Sequence, residues 1–241
     1  MRILIVRHCD PDYSVDSLTE KGWREAEFLA DRLSKIKYKG IYCSPLGRAK
    51  DTAGVTLKRI GREAETKDWL REFDASVDDP ETGRKRSVCW DLMPGYWTSI
   101  EEMYDKNNWI HTPIMRSGET DKKYRHVTEG LDRVLEENGY VRQGNVYRAE
   151  NGNRDTIIFF CHFGVECVML SHLTGASPVI YWHHFMAAPS SVTTLFTEER
   201  EQGIVTFRCS QFGDTSHLYA AGEEPAFSGR FCETFYSDER H

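Results

Sequence analysis

The sequence predicts an α/β protein: a three-layer α/β/α arrangement with a mostly parallel central sheet and an inserted helical cap at about residues 74–117. Three observations point there. Short apolar runs end at polar clusters, as buried strands do. Amphipathic helical stretches follow those runs. From Asp74 to about Ser117 the alternation gives way to short aromatic pieces around Trp90, Tyr96, Trp97, Tyr104 and Trp109, broken by Pro, Gly and charge. A chain of 241 residues accommodates one such domain with its insertion.

In chain order, Arg2 to Val6 is a strand that delivers Arg7 and His8 to its carboxyl end. A helix follows, capped by Thr19 or Ser17, with Trp23, Ala26, Ala30 and Leu33 on the core face. Lys39 to Cys43 is a second strand. Ser44-Pro45 then starts a helix with a hydroxyl cap and a proline at the first helical position, which puts Arg48 in the first turn and Ala49, Ala53 and Leu57 inward. Glu63 to Lys67 is a third strand. After the cap, Tyr124, Val127, Leu131 and Leu135 mark a helix face that Gly139 ends. Asn151-Gly152 signals a hairpin turn, and TIIFFC, Thr156 to Cys161, is a central strand ending at His162. A helix over Val165 to Leu173 and strands over Ser191 to Thr197 and Ile204 to Arg208, joined by a charged turn at Glu198 to Gly203, complete the pattern.

Composition narrows the function. A net charge of -7 and a pI of 5.7 argue against a nucleic-acid partner, which needs clustered Lys and Arg, so any phosphate site is local. Seven cysteines at irregular spacing fit reduced thiols of a cytoplasmic protein, and no CxxC pair suggests zinc. Arg7, His8 and Asp10 interrupt MRILIV too early for a signal-peptide core, and no stretch approaches the ~20 apolar residues of a membrane span.

Three elements carry chemistry. Arg7-His8 follows the first strand. SPLGRAKDTA, Ser44 to Ala53, opens a helix whose free N–H groups favour anions, with Arg48 adding a fork of donors matched to phosphate. FFCHFGVE, Phe159 to Glu166, sets His162 between a strand and a helix. Singly, each is as well explained by packing or solvation. In a parallel sheet all three end at one rim, where an anion pocket is assembled.

These pieces resemble the histidine phosphatase superfamily, which includes cofactor-dependent phosphoglycerate mutases. The matching segments are RH at Arg7-His8, LTEKG at Leu18 to Gly22, SPLGRAKDTA, LRE at Leu70 to Glu72 and CHFG at Cys161 to Gly164. The resemblance implies His8 as a nucleophile that becomes phosphorylated, Arg7 and Arg48 as holders of phosphoryl oxygens, and His162 as the second pocket histidine. It implies a carboxyl group as proton donor; Glu72 matches that position, and Asp10 is the alternative. It implies no cofactor and no metal, and a small phosphorylated substrate. Two departures stand out: Cys9 occupies a place where glycine is usual, and the stretch between RH and LTEKG lacks the longer Asn-bearing loop of the mutases. The expected activity is hydrolysis of a phosphomonoester. Mutase-type transfer and a non-catalytic phospho-ligand binding protein are the alternatives. His183-His184 lacks the spacing of a metal site, and His217 is expected to be structural.

Overall fold

A computed structural model of the chain describes every residue except 81, 82, 84, 86, 240 and 241, so four positions of the expected cap fall outside the described residues. The first apolar run is β1, Arg2–Arg7. Ile3 and Ile5 enter one hydrophobic cluster and Leu4 and Val6 the other, the alternation a strand buried on both faces requires. Then come α1 (Glu20–Leu33), β2 (Gly40–Cys43), α2 (Gly47–Ile60) and β3 (Glu65–Thr66). After the cap segment follow α3 (Thr120–Glu137), β4 (Tyr140–Gln143), β5 (Val146–Ala149), β6 (Thr156–Cys161) and α4 (Phe163–Thr174). The remaining elements are α5 (Pro178–His184), β7 (Val192–Glu201), β8 (Ile204–Asp214) and α6 (Ser216–Ala221).

These eight strands join one sheet in the order β3-β2-β6-β1-β7-β8-β5-β4. Strands β3, β2, β6 and β1 pair in parallel and the other pairings are antiparallel, so only β7 and β5 run against the common direction. The α/β class with a mostly parallel sheet is therefore as the sequence predicts. Helices α1 and α2 cover Leu4, Val6, Ile158 and Phe160 on one face, while α3, α4 and α5 cover Ile3, Ile5, Ile157 and Phe159 on the other. No helix among the described residues is long and apolar enough to cross a membrane.

Register decides what meets at the rim. Arg7 lies opposite Cys161, and Phe160 opposite Cys43. Pairing continues one residue further through His8 N–H to the Cys161 carbonyl (2.9 Å) and Ser44 N–H to the Phe160 carbonyl (2.9 Å). His8, His162 and Ser44 thus leave the sheet side by side at the carboxyl ends of three adjacent strands.

Several local expectations are corrected. Thr19 caps α1, accepting from Gly22 N–H at 3.0 Å, but Trp23 is 43% exposed and the inward line runs through Gly22, Ala26, Leu29, Ala30 and Leu33. Gly22 sets that rotation: a Cβ there would lie 2.2 Å from the Asp10 carbonyl oxygen, so this face alone approaches the loop. Helix α2 begins at Gly47, with Leu46 rather than Ser44 at its cap position; the Ser44 hydroxyl accepts from Leu46 N–H at 3.3 Å and is bonded to His162. Leu57 is only partly buried. The first hairpin turns at Gly144-Asn145, where Gly144 takes φ +58°, and Asn151-Gly152 lies in the return loop instead. Strands β7 and β8 run through the expected charged turn and reverse at Gln202-Gly203.

Among the described residues of 74–117 the elements are short: strands Ser76–Val77 and Ser87–Val88, and helical turns such as Pro94–Trp97 and Pro113–Ser117. Trp97, Met103, Trp109 and Met115 are buried in the same cluster as Ile3 and Phe159, not in a core of their own. Each such side chain stabilises the packing by about 1.5–3 kcal/mol, which ties this segment to the sheet.

Candidate active site

His8 is 2% exposed at the end of β1. Its Nδ1 lies 2.8 Å from the Cys9 carbonyl oxygen. A carbonyl only accepts, so Nδ1 carries the proton and the Nε2 lone pair is available. Among the described residues Nε2 has no hydrogen-bond partner. Burial, reinforced by the neighbouring Arg7 charge, pulls this imidazole from 6.5 down to about 3, so the ring is neutral throughout the physiological range.

Arg7, also buried, is fixed through Nη1 to the carbonyls of Ala187 (2.5 Å) and Ser228 (3.0 Å). Its guanidinium lies over the Phe163 ring at 5.8 Å. Arg48, in the first turn of α2, donates through Nη1 to Asp16 Oδ1 at 2.5 Å and lies 5.3 Å from the Tyr13 ring centroid. The second Asp16 oxygen accepts from Gly47 N–H at 2.7 Å. Arg7 Nε, Arg48 Nε and His162 Nδ1 are buried without a hydrogen-bond partner among the described residues. An unpaired buried polar atom costs about 1–3 kcal/mol, and two of these three belong to guanidiniums, which seek anions.

His162 caps α4 at zero exposure, its ring centroid 5.1 Å from that of His8. The Ser44 hydroxyl meets its Nε2 at 2.8 Å. Burial, followed by the neighbouring His8 and then the charges of Arg48 and Arg7, holds His162 well below its usual value. Glu72 reaches the amino end of the same helix: Oε1 accepts from Val165 N–H (3.1 Å) and from Phe73 N–H (2.7 Å). Gly164 permits that approach, because a Cβ would lie 2.6 Å from Glu72 Oε1. Burial lifts the Glu72 carboxyl above the ordinary carboxylate range, opposed by those N–H donors and by the charges of Arg7 and Arg48. A cavity of about 290 Å³ borders Glu72, lined also by Arg71, Lys123 and His126. A larger one, about 790 Å³, lies at the opposite ends of the strands beside Met1, Arg2 and Thr156, away from these groups.

Arg7, His8, Arg48, Glu72 and His162 therefore share one rim, each within electrostatic reach of others in the set. Asp10 is tied elsewhere. Its two carboxylate oxygens accept from the hydroxyls of Thr19 (2.7 Å) and Ser228 (3.2 Å). Cys9 does not have positive φ; its N–H donates to the Thr52 hydroxyl at 2.9 Å and its side chain is buried with Val6, Ala26 and Ala49. His183 is engaged by the Val179 carbonyl (2.9 Å) and by Leu92 N–H (3.4 Å), and packs on Trp97. His217 meets the Ser190 hydroxyl at 3.0 Å, and Ser190 N–H donates to the His8 carbonyl, so His217 supports the His8 backbone from behind.

The sequence reading missed three contributors. Ser44 looks like a helix cap but orients His162; Asp16 looks like a loop residue but holds Arg48; Glu166, inside FFCHFGVE, is a buried carboxyl whose charge is felt at Arg7. Ser44 and Glu166 sit within the motifs SPLGRAKDTA and FFCHFGVE, whereas Asp16 lies outside every motif.

A family model described as histidine phosphatase superfamily (branch 1) matches residues 3–210. This chain belongs to the histidine phosphatase superfamily. Within it, the chain is 34% identical over 175 residues to a 2,3-bisphosphoglycerate-dependent phosphoglycerate mutase from Thermoplasma acidophilum, an alignment covering 68% of this chain and 78% of that one. Solved structures share the fold at lower identity. A mutant phosphoserine phosphatase from Entamoeba histolytica, in complex with phosphoserine, superposes with TM-score 0.60 at 19% identity, covering 90% and 98% of the two chains. A mycobacterial glucosyl-3-phosphoglycerate phosphatase complexed with VO3 gives 0.58 at 18%, covering 89% and 99%. The alpha-ribazole phosphatase from Shigella flexneri gives 0.53 at 20%, covering 87% and 95%.

Proposed function

We propose that this histidine phosphatase hydrolyses a small phosphorylated metabolite through a phosphohistidine intermediate on His8. The observation that carries the reading is the His8 tautomer: Nδ1–H is held by the Cys9 carbonyl, Nε2 keeps its lone pair, and two guanidiniums stand beside it. Arg7 and Arg48 neutralise the non-bridging oxygens as Nε2 attacks phosphorus and the bond to the leaving oxygen breaks. His162 hydrogen-bonds the same phosphoryl group, its ring oriented by Ser44. Glu72, whose carboxyl burial lifts above the ordinary carboxylate range, gives its proton to the departing alkoxide. As a carboxylate it then takes a proton from water, which attacks phosphorus, breaks the N–P bond and frees His8 and inorganic phosphate. Asp10 is the weaker donor because both its oxygens already serve hydroxyls.

The test is a phosphoenzyme trap. Incubation with a labelled aryl phosphate and an acid-free quench gives acid-labile label on wild type and none on His8→Ala, with turnover lost in the variant. Label retained by His8→Ala refutes the nucleophile, and a wild type with no turnover favours a non-catalytic binding protein. Phosphoglycerate-mutase transfer is the second reading, favoured by the 34% identical relative. Phosphoenzyme offered 3-phosphoglycerate separates the two: isomer forming faster than phosphate is released reverses the assignment.

A further inference from the structure

We infer that Asp16 is a built-in counter-ion that occupies the phosphate seat of Arg48 in the free protein and is displaced when the phosphoryl group binds. The inference rests on the site assignment above and adds an affinity-setting residue to it. Asp16 presents one oxygen to Arg48 Nη1 at 2.5 Å and the other to Gly47 N–H at 2.7 Å. A guanidinium and a helix's first N–H are the two donors a phosphate would use here, and a carboxylate bridges both.

The chain is shaped for this contact. Gly47 has no room for a side chain, since a Cβ would lie 2.0 Å from the Asp16 carbonyl oxygen. Asp16 adopts φ +49°, the left-handed region that few residues other than glycine enter. The base of the loop is anchored by pairing of Pro11–Asp12 with Ser17–Leu18 and by the Ser17 hydroxyl on Asp51 (2.6 Å). Its tip is exposed: Tyr13 and Val15 are 67% and 68% exposed. Such a tip opens locally at little cost while its base stays fixed. Displacement is required because the Asp16 carboxylate and a phosphoryl dianion on one guanidinium repel, and because Asp16 already fills the Gly47 N–H. The Asp16 charge is also felt at His8, which sets it beside the same rim and not at a remote surface.

The experiment measures orthovanadate affinity by calorimetry, together with kcat and KM for an aryl phosphate, on wild type, Asp16→Asn and Asp16→Ala. With the competing charge removed, vanadate binds on the order of tenfold more tightly and KM falls in proportion. Hydrogen exchange at residues 13–17 of wild type rises when vanadate is added, a response a purely positional role would not produce. Vanadate bound equally or more weakly by both variants, with kcat reduced, overturns the counter-ion and makes Asp16 a fixed support for Arg48. Unchanged exchange at residues 13–17 on vanadate binding to wild type also overturns it, without reliance on any variant. Vanadate that fails to bind wild type and both variants refutes the phosphate seat itself.

Discussion

Glu166→Gln isolates the cost of one buried charge. Glu166 is 1% exposed on α4; its Oε1 accepts from the Thr193 hydroxyl, and its Oε2 is buried without a partner among the described residues. Burial pushes this carboxyl from 4.5 up to about 7, with the Thr193 hydroxyl and the Arg7 charge pulling the other way. The folded protein therefore retains a proton that the unfolded chain has lost. The contribution of Glu166 to stability is greatest below about pH 4.5, declines as pH rises toward 7, and levels off above that. At about 1.4 kcal/mol per pH unit, that interval amounts to roughly 3 kcal/mol. Glutamine preserves the acceptor for Thr193 and never ionises. Its NH₂ replaces the equally unpartnered O–H of the neutral acid, so the two neutral forms are closely matched.

Urea unfolding at pH 5 and pH 8 reads the difference directly, provided the slopes agree between proteins. The variant is expected to exceed wild type by under about 1 kcal/mol at pH 5 and by roughly 3 kcal/mol at pH 8. Glu25, fully buried and likewise raised to about 7, titrates in the same window but in both proteins, so it cancels. A gap independent of pH would show that Glu166 ionises normally inside the fold. A variant less stable at pH 8 would show that the carboxylate is needed to balance Arg7.

Three further outcomes follow from the site. Glu72→Gln lowers kcat/KM for an alkyl phosphate by about 10²–10⁴ and less for an aryl phosphate with an acidic leaving group. In wild type the activity falls as pH rises through the elevated Glu72 value while His8 stays neutral; a pH profile whose alkaline limb survives in Glu72→Gln rejects this donor. Gly164→Ala drives a methyl to within 2.6 Å of Glu72 Oε1 and 2.8 Å of Trp90 Nε1, so kcat falls by about 10² and stability by about 1–3 kcal/mol; full activity with intact stability refutes the close approach. Cys9→Gly removes a buried side chain and loosens the backbone, costing about 1–3 kcal/mol in urea unfolding with kcat/KM roughly unchanged; a gain in kcat would mean that glycine's freedom matters there after all.

The legible part of this molecule is what period and punctuation encode. Arg2 to Arg7 and Thr156 to Cys161 are apolar runs too short for anything but buried strands, and the residues next in line, His8 and His162, inherit their positions from the sheet. Arg48 was readable because a helix start follows a strand. What escaped depends on contacts distant in sequence. Trp23 has the spacing of a core residue, yet the Asp10 carbonyl approaching Gly22 turns that helix by about one residue. Ser44 carries a cap signal, but a histidine 118 positions away claims its hydroxyl. Cys9 looks strained against a pattern where glycine is usual, yet its backbone is ordinary and its thiol fills core space. Asn151-Gly152 has a stronger turn signature than Gly144-Asn145, but β5 pairs with β4 through the earlier turn.

Charge balance explains why the two histidines are buried so thoroughly. In the proposed mechanism a phosphoryl dianion facing two guanidiniums is neutralised without help from either imidazole, so protonated rings would add nothing to binding and would remove the nucleophile. Zero or near-zero exposure of His8 and His162, beside Arg7 and Arg48, keeps both rings neutral far below physiological pH. The same arrangement leaves a free protein with one buried and one partly buried positive charge, which burial alone disfavours. Carbonyls of Ala187 and Ser228 share the charge of Arg7, and the carboxylate of Asp16 offsets that of Arg48. The site therefore folds with part of its positive field already compensated from within, and what it offers an incoming phosphate is the difference between that internal compensation and a better-matched dianion.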